Sequence, residues 1–542
     1  MTYTDTTIIQ LFVTIGGTLA LAVPFGLYIA RMISYEMRPL ERPLAKVENG
    51  FFRLIGIDVN RQMTWKEYFF AIIITNGIVA AFVFIILILQ GSLPLGSPEK
   101  VGFSLDLAFH TAASFITDTN LQHYIGDQQL SNLSQMVAIT FVMFVAPASG
   151  IAAAFAFIRS FIRKNFGLGN FYVDFIRIII TLLLPVAFLS SLLLMLLGVP
   201  QTLSSSVTVQ TLEGDKQTIT YGPVASLESI KQLGSNGGGF FGSNSGHPFE
   251  NPNGLSNVYE IFLMLIIPLS FPIAYAKLVG KGRGVSILAA MLIGFSFCLA
   301  IGFSAASGPS LLETRFGSFG SVFFDISSTS SNTGALNSAL AGLSPTAITS
   351  AFLGMFVQSI PGAVGTGMMT MIVYVILTLF IVGLMVGKTP EFMSMKISPK
   401  DIKLSVFIFL IHPALILIPT TIAFTTGNAQ QVTGNQVTPF YFTQAFYEFT
   451  SAAANNGSDY YGASADTPFW NISTGLVMLL GRYLPIGLML AIAGSFTIKD
   501  RKEVIEPIKT QGVLFTSIIS VTIFLLTALT FFPFLIIGPF SM

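Results

Sequence analysis

The sequence contains very little cysteine, histidine or charge. Of its 542 residues, one is cysteine (Cys298), four are histidine, and 10% are Asp, Glu, Lys or Arg. A single cysteine excludes a disulfide framework and a thiolate metal site, and the scattered histidines show no metal-ligand spacing. The net charge of +1, without a basic stripe, gives no reason to expect nucleic acid as a partner. Soluble domains carry about 25% charged residues, so this composition indicates an integral protein of the lipid bilayer.

Long apolar runs dominate the chain. Crossing a hydrocarbon core about 30 Å thick requires roughly 20 apolar residues. Ten runs meet this length: 8–30, 68–90, 131–158, 172–199, 255–277, 285–305, 345–386, 402–425, 469–497 and 513–536. The first is followed, not preceded, by a basic residue, which is the reverse of a signal peptide, so we expect a retained span. The seventh is too long for one straight crossing.

Basic residues alternate between successive loops. Lys and Arg concentrate in cytoplasmic loops of membrane proteins, and here most of them lie in five alternate stretches: 31–67, 159–171, 277–284, 387–404 and 498–509. The intervening loops hold only Lys100, Lys216, Lys231 and Arg315. We therefore predict that both termini lie outside, together with the four longer segments 91–130, 200–254, 306–344 and 426–468.

Each of these four outer segments contains a related stretch. They read FHTAASFITDTNLQ (109–122), LESIKQLGSNGGGF (227–240), FDISSTSSNTGALN (324–337) and YEFTSAAANNGSDY (447–460). In the last three, an acid lies seven residues before a short polar motif: Glu228 before Ser235, Asp325 before Asn332, and Glu448 before Asn455. The first copy offers Thr117 to Asn120, in a register that stays open by one residue. Each stretch is too short to span a bilayer, which predicts a re-entrant segment.

The residue types in these stretches suit a cation pathway. Irregular backbone survives at membrane depth only where it is buried in protein or lines a water-filled cavity. Glycine reaches unusual backbone conformations, and Ser, Thr and Asn hold loops by local hydrogen bonds. Four such loops on one axis would form rings of carbonyl oxygens that replace a cation's hydration shell. For a single copy, an ordinary Gly/Asn turn is the stronger interpretation; four copies on one side favour the pathway.

Two glycine motifs resemble phosphate-binding sequences. Gly237, Gly239 and Gly242 satisfy G-x-G-x-x-G, but that fingerprint must follow a strand and open a helix, whereas here it lies outside between spans. In GLMVGKT (383–389) the glycines are one residue too close for a Walker loop. We therefore predict no nucleotide site and no organic cofactor in this chain.

The seventh run contains QSIPGAVGTGMM (358–369), in which proline and glycine interrupt a helix. With the excess length, this predicts a broken helix beneath the third re-entrant loop, acting as a gate that obstructs the direct route inward. The alternative is that these glycines only pack against neighbouring helices.

Four other residues stand out in or near the spans. Arg482 lies midway along the ninth run, where a charge is costly and usually functional or paired. It would pair with a pore carboxylate or repel cations as a lower barrier; the alternative is snorkelling to an interface, which we expect instead for Arg177. His247 and Glu250 follow the second loop without a nucleophile or metal set nearby, so we predict a structural role for them.

Several of these stretches are similar to those of one known family. They are TDTNLQ (117–122), GPVASLESIKQLGSNGGGFF (222–241), SGHPFENPN (245–253), VGKTPEF (386–392), SAAANNGS (451–458) and PFWN (468–471). On these motifs the chain resembles, over nearly its whole length, the potassium-binding A subunits of bacterial Kdp pumps, within the superfamily of potassium transporters.

The resemblance implies an all-α polytopic fold with ten transmembrane helices. Four membrane–pore–membrane repeats would surround a K⁺ pore in pseudo-fourfold arrangement, with one extra helix at each end. The implied division is 1–67 for the first helix and loop, 68–160, 172–280, 285–388 and 402–498 for repeats one to four, and 510–542 for the last helix.

The resemblance also implies a function and a site. The chain would bind K⁺ from outside for a pump of the bacterial cytoplasmic membrane, while a separate P-type ATPase subunit, with small accessory subunits, hydrolyses ATP. The chain itself would be non-catalytic, in agreement with its lack of D-K-T-G. The implied selectivity filter comprises Thr117, Asp118, Thr119, Asn120, Ser235, Asn236, Gly237, Gly238, Gly239, Asn332, Thr333, Gly334, Asn455, Asn456 and Gly457. The gate and barrier comprise Pro361, Gly362, Gly365, Gly367 and Arg482.

Two positions depart from the family pattern. Asp118 replaces an expected Asn, and Asn332-Thr333 replaces Ser-Cys, one form found in the family. Asp118 either adds a negative charge near the entrance or points away from the pore and holds the loop; we favour the second. The rival to the pump is a passive or ion-coupled K⁺ transporter of the same superfamily, which the sequence pattern alone does not exclude.

Overall fold

The computed structural model describes residues 3–36, 42–93, 101–162, 167–204, 206–304, 314–433, 438–499 and 508–541. Lys100 and parts of the basic stretches 31–67, 159–171 and 498–509 lie outside these ranges, as do parts of all four outer segments.

Ten helices in the described ranges are long and apolar enough to cross a membrane. In chain order, these spans are Ile9–Ile33, Trp65–Ser92, Ser134–Arg159, Phe171–Leu197, Gly254–Leu278, Lys281–Ser304, Thr366–Val386, Pro399–Thr425, Pro468–Thr497 and Val513–Ser541. The third and fourth contain π-helical turns at Ser134–Thr140 and Ile178–Leu183. The prediction of ten spans is confirmed.

Four shorter helices lie between pairs of spans. These pore helices, first to fourth, are Leu105–Ile116, Val224–Leu233, Gly317–Ser330 and Pro439–Ala454. Side-chain caps begin the first and fourth, where Ser104 accepts from the Leu107 amide and Thr438 from the Tyr441 amide. Each pore helix follows one span of its repeat and precedes the next, which confirms four membrane–pore–membrane repeats flanked by the first and tenth spans.

The seventh predicted run, 345–386, is two helices. Pro345–Val357 ends at Gln358, whose φ is 55°, and Thr366–Val386 begins after Gly365, whose φ is 79°. The chain between them, residues 358–365, is called the break below. Only the second of the two helices is long enough to span. Glycine at 362 and 365 suits the positive φ values there, because it has no Cβ to clash.

The core and the periphery of the bundle differ in exposure. The third span is almost entirely buried, whereas the first and tenth spans expose large apolar side chains such as Phe12 and Leu529. The first span packs against the fifth, and the tenth packs against the sixth. In water such a surface would be unstable; in a bilayer it faces lipid, where apolar side chains cost nothing.

The loops add small elements of regular structure. An amphipathic helix, Arg42–Ile55, lies between the first two spans. An exposed antiparallel hairpin of β1, Ser206–Gln210, and β2, Lys216–Thr220, pairs Ser206 with Thr220. A second hairpin, β3 (Glu391–Phe392) and β4 (Met395–Lys396), follows the seventh span. Two short helices, Gly126–Gln129 and Asn428–Thr433, complete the α-helical elements of the described chain.

A buried ion pair joins the ends of the third and fourth spans. Arg159 donates to both carboxylate oxygens of Asp174, at 2.6 and 2.7 Å, and Tyr68 donates to the same carboxylate at 2.8 Å. Arg177 lies nearby, 3.3 Å from Glu48. The prediction that Arg177 snorkels to the interface is therefore wrong: its guanidinium is largely buried, because the helix between the first two spans supplies a carboxylate.

Candidate functional site

All four pore helices end in the same backbone turn. Each helix is followed by a residue in the left-handed backbone region, with φ of 64° at Asp118, 57° at Ser235, 51° at Asn332 and 54° at Asn455. The next amide then donates back to the carbonyl five residues earlier, as a Schellman motif does. The bonds are Thr119 to Ser114 at 3.0 Å, Asn236 to Lys231 at 2.9 Å, Thr333 to Ser328 at 2.8 Å and Asn456 to Ser451 at 2.9 Å.

This turn determines the register of the first copy, which the sequence leaves open by one residue. Asp118 is equivalent to Ser235, Asn332 and Asn455, and Asn120 occupies the position that is glycine in the other three repeats. Asn120 itself has a φ of 57°. Asn and Asp tolerate this region better than other non-glycine residues, so both substitutions are compatible with the shared backbone.

The loops that follow are called the first to fourth pore loops: residues 117–120, 235–239, 332–334 and 455–457. Their backbones meet. A methyl group added at Gly457 would overlap the Thr119 carbonyl oxygen, and one at Gly334 would overlap the Asn456 carbonyl oxygen. At Gly237 it would lie 2.5 Å from the Thr119 oxygen and 2.9 Å from the Asn456 oxygen. Glycine is required because carbonyl groups of neighbouring loops approach where a side chain would be.

Side chains tie the pore loops to their own helices and to one another. In the first and third loops a hydroxyl pair is repeated: Thr117 with Thr119 at 2.8 Å, and Ser331 with Thr333 at 2.7 Å. The fourth loop is joined to the first, since Asn455 donates to the Thr119 hydroxyl at 2.9 Å. Thr119 makes these hydrogen bonds through its hydroxyl group, and its backbone carbonyl takes no part in them.

Asparagine amides complete these ties between loops. Asn332 donates to the Ala454 carbonyl at 3.2 Å, and Asn120 donates to the Asn236 side-chain oxygen at 3.4 Å. These side chains are buried and point into protein, so the residues that the sequence singles out lie together. The backbone oxygens of Thr119 and Asn456, a ligand type that hard cations use, lie where the loops meet.

A cavity of about 630 Å³ opens on one side of the pore loops. It reaches Gly457 at its base and is lined by polar groups that include Gln122, Asn337, Ser458 and Asp459. Gln122 also holds the second loop, accepting from the Gly239 amide at 2.9 Å and donating to the Gly239 carbonyl at 3.0 Å. The cavity thus connects a largely polar lining to the fourth pore loop at Gly457.

Asp118 is buried and pairs with Arg482. The Arg482 Nη2 atom donates to Asp118 Oδ2 at 3.0 Å and lies 3.3 Å from the Ala146 carbonyl oxygen. The side chains of Asp118 and Arg482 are 1% and 5% exposed. The structure thus pairs Arg482 with the pore carboxylate that departs from the family pattern, instead of leaving the arginine as a lone charge.

The break contacts the ends of two pore helices. The Val364 amide lies 3.3 Å from the Ser235 hydroxyl, and the Gly362 amide donates to the Ser330 carbonyl at 2.9 Å. A methyl group on Gly365 would lie 2.8 Å from the Gly150 carbonyl oxygen. Gly150 in turn packs against the Arg482 guanidinium. The break and Arg482 are therefore neighbours, since both contact Gly150 of the third span.

The acids seven residues before the third and fourth motifs accept from backbone amides, a role that the sequence did not predict. Asp325 Oδ1 accepts from the Asn337 amide at 3.1 Å, and Glu448 Oε1 accepts from the Tyr460 and Tyr461 amides, each at 2.7 Å. These amides follow the pore loops by three or four residues. The signal was present as the seven-residue spacing between acid and motif, but spacing does not show which backbone group the acid meets.

The second loop has a different arrangement of charge. Glu228, Lys231 and Glu250 are fully buried behind it. Burial raises the pKa of Glu250 to about 8, against the opposing effect of Lys231, and burial lowers the pKa of His247. His247 stacks on Phe241 with ring centroids 3.7 Å apart and accepts from the Phe249 amide at 3.1 Å. His247 and Glu250 thus hold the chain that follows the second pore loop, which is a structural role.

The described residues contain no group of three or more His, Cys, Asp or Glu side chains that would hold a metal ion.

Comparison with known proteins identifies both family and fold. The family model described as potassium-transporting ATPase A subunit matches residues 12–541. Among solved structures, the potassium transporter TrkH from Vibrio parahaemolyticus has a similar fold, with 15% identity and a TM-score of 0.53 over 88% of this chain and 99% of that one. At this identity the likeness bears on the fold alone.

Proposed function

Because this chain belongs to the family of potassium-transporting ATPase A subunits, we propose that it is the K⁺-selecting and K⁺-binding subunit of an ATP-driven, high-affinity potassium uptake pump. The observation that carries the proposal is the meeting of four equivalent pore loops. The Thr119 carbonyl oxygen lies close to Gly237 and Gly457, and the Asn456 carbonyl oxygen lies close to Gly237 and Gly334.

Selectivity comes from the backbone in this proposal. Rings of carbonyl oxygens replace the hydration shell of a cation, and a larger, weakly hydrated ion loses its water at lower cost. The left-handed residue that begins each loop turns the following carbonyls out of the helical direction. The hydroxyl and amide ties at Thr119, Thr333 and Asn455 limit how far these carbonyls move toward a smaller ion.

The break and Arg482 form the inner barrier. The Gly362 and Val364 amides are tied to the ends of the third and second pore helices, so the break lies across the direct route from the pore loops. Arg482 places positive charge beside it, which Asp118 balances in part. A pump requires such a barrier, because an open pore would let the gradient collapse.

ATP hydrolysis belongs to a partner. The chain lacks D-K-T-G and a Walker loop, and its family is named as one subunit of an ATPase. We propose a P-type catalytic subunit and small accessory subunits as partners, with ATP acting only through the former. The predicted orientation places the cavity and both termini outside the bacterial cytoplasmic membrane.

A passive or ion-coupled K⁺ transporter is the second candidate, favoured by the fold shared with TrkH. ATP hydrolysis by the complex purified through this chain, titrated separately with K⁺ and Na⁺, distinguishes the two. We expect hydrolysis that low K⁺ stimulates and equal Na⁺ does not. If nothing with ATPase activity co-purifies and the chain in liposomes passes K⁺ downhill, the passive transporter is correct and the pump is not.

A further inference from the structure

The chain that leaves each pore loop needs an acceptor for its buried backbone amides. In the third and fourth repeats a carboxylate of the pore helix supplies it directly, Asp325 for Asn337 and Glu448 for Tyr460. In the second repeat the amide of Phe241, four residues after Gly237, is equivalent to that of Tyr461, which also donates to Glu448. The Phe241 amide donates not to the pore-helix acid Glu228 but to Glu250 Oε1, at 2.8 Å.

Glu250 comes from the loop beyond and lies directly against the second pore loop. A methyl group on Gly239 would be 2.7 Å from Glu250 Oε1 and 2.9 Å from Oε2. The carboxylate therefore limits outward movement of this loop, both by contact at Gly239 and by its hydrogen bond at Phe241. Any shift of Glu250 would shift the Gly239 backbone with it.

Lys231 holds Glu250 in place. Its Nζ atom lies 2.7 Å from Glu250 Oε2, 2.6 Å from Glu228 Oε2 and 2.9 Å from the Ser245 hydroxyl. The lysine side chain is 0% exposed. Lysine is almost never buried to this extent unless paired. The Lys231 carbonyl accepts from the Asn236 amide at 2.9 Å. Lys231 therefore contacts the second pore loop directly through its backbone, and its side chain acts on the same loop through Glu250.

The cluster also contains more acid than base. Gln232 donates to Glu228 at 2.7 Å and to Glu260 at 3.1 Å, so three carboxylates surround one lysine. Removing Lys231 would leave Glu228 and Glu250 without their shared partner, and removing Glu250 would leave the loop amide without its acceptor. Buried charge of this kind contributes little net stability, which favours a role in holding one particular loop geometry.

We propose that Lys231 and Glu250 are positioning residues that set the spacing of the second pore loop and thereby its discrimination between K⁺ and Na⁺. This inference rests on the proposed function, because it takes the pore loops to be the K⁺-binding site. Neither side chain contacts the ion: Lys231 orients Glu250, and Glu250 holds the Gly239 and Phe241 backbone. The first repeat has no such acid, since Thr111 occupies the position equivalent to Glu228.

The test is cation binding to the purified full-length chain, by calorimetry with KCl and with NaCl, in the Glu250→Ala variant. We expect its ratio of Na⁺ to K⁺ dissociation constants to fall about tenfold, as loss of one charge-assisted hydrogen bond would cause. Glu250→Gln, which keeps an acceptor oxygen of the same shape, should recover part of the ratio. It also keeps the test decisive if Glu250→Ala fails to fold, because its ratio must still be lower than that of the native chain.

Asp174→Asn is the matched control. It weakens an equally buried ion pair, Asp174 with Arg159, which joins the ends of the third and fourth spans and not a pore loop, so it should lower thermal stability and leave the ratio unchanged. The inference would be overturned if both Glu250 variants kept the native ratio of Na⁺ to K⁺ dissociation constants while Gly237→Asp, a substitution in the second pore loop itself, lowered it. If the native chain does not bind K⁺ more tightly than Na⁺, the proposed function fails as well.

Discussion

The pore loops and the first and tenth spans differ in the kinds of residue that they bury and expose. In the pore loops buried residues are polar, the backbone is irregular, and glycine stands where another loop touches it. In the first and tenth spans exposed residues are apolar, the backbone is helical, and glycines such as Gly16 have nothing within 4 Å of an added methyl group. The difference shows that in a bilayer the polar groups must be satisfied inside the protein, while lipid accepts the apolar ones.

The largest effect that this comparison predicts is for the same substitution at two glycines. Gly457→Ala places a Cβ into the Thr119 carbonyl at a φ of 98°. We expect the K⁺ dissociation constant to rise roughly a hundredfold or more, since strain of this kind costs about 1–3 kcal/mol and the carbonyl must also move. Calorimetric titration with KCl measures it.

Gly16→Ala is the control for that substitution. It replaces a glycine within a lipid-facing helix, where alanine is the better helix former. We expect native K⁺ binding and equal or slightly higher thermal stability. Equal K⁺ binding in the two alanine variants would remove the fourth loop from the proposed filter.

An intermediate effect is expected for the charge pair beside the loops. Asp118→Asn keeps a residue that tolerates positive φ and still accepts from Arg482, so the fold should survive. Because a negative charge near the ion path is lost, K⁺ should bind more weakly, by roughly tenfold or less. Arg482→Gln removes the opposing positive charge and should raise passive K⁺ flux in liposomes.

Asp118→Asn removes a negative charge and Arg482→Gln removes a positive one, so each variant tests one half of the ion pair. Tighter K⁺ binding in Asp118→Asn would contradict the electrostatic account of the inner barrier. Unchanged flux in Arg482→Gln would assign the barrier to the break alone. The double variant, with no net change of charge, should lie closer to the native chain than either single one.

The smallest effect is expected at the lipid-facing surface. Leu196 is 84% exposed, so Leu196→Ala should change the free energy of unfolding by no more than about 0.5 kcal/mol. Phe115, in the first pore helix, is 0% exposed, and Phe115→Ala should cost about 3–5 kcal/mol. Thermal unfolding of both variants in the same detergent measures the difference. Similar shifts would mean that the periphery is packed as tightly as the core.

Much of the fold could be predicted because it depends on local sequence. Apolar length marked the ten spans, and the repeated acid-to-motif spacing marked the pore helices. Proline and glycine marked the break at 358–365. The boundaries differ by a few residues, since a helix continues wherever neighbours satisfy its backbone.

The candidate site was predictable in its members but not in its contacts. Thr119, Gly237, Asn456 and the others were found because glycine and small polar residues recur at one position of each repeat. Their convergence is a property of four distant segments, and no local pattern states it. The role of Arg177 was wrongly predicted for the same reason: its partner Glu48 lies in another helix.

The sequence by itself determined that this is a membrane protein of four related repeats in the family of potassium-transporting ATPase A subunits, because apolar length and motif identity are written along the chain. Only the tertiary structure decided the register of the first pore loop, the pairing of Asp118 with Arg482, and the contact of Glu250 with Gly239. Each of these depends on which groups meet once the helices pack. Burial then makes the choice of partner decisive, because an unpaired charge or amide inside the protein costs far more than one in water.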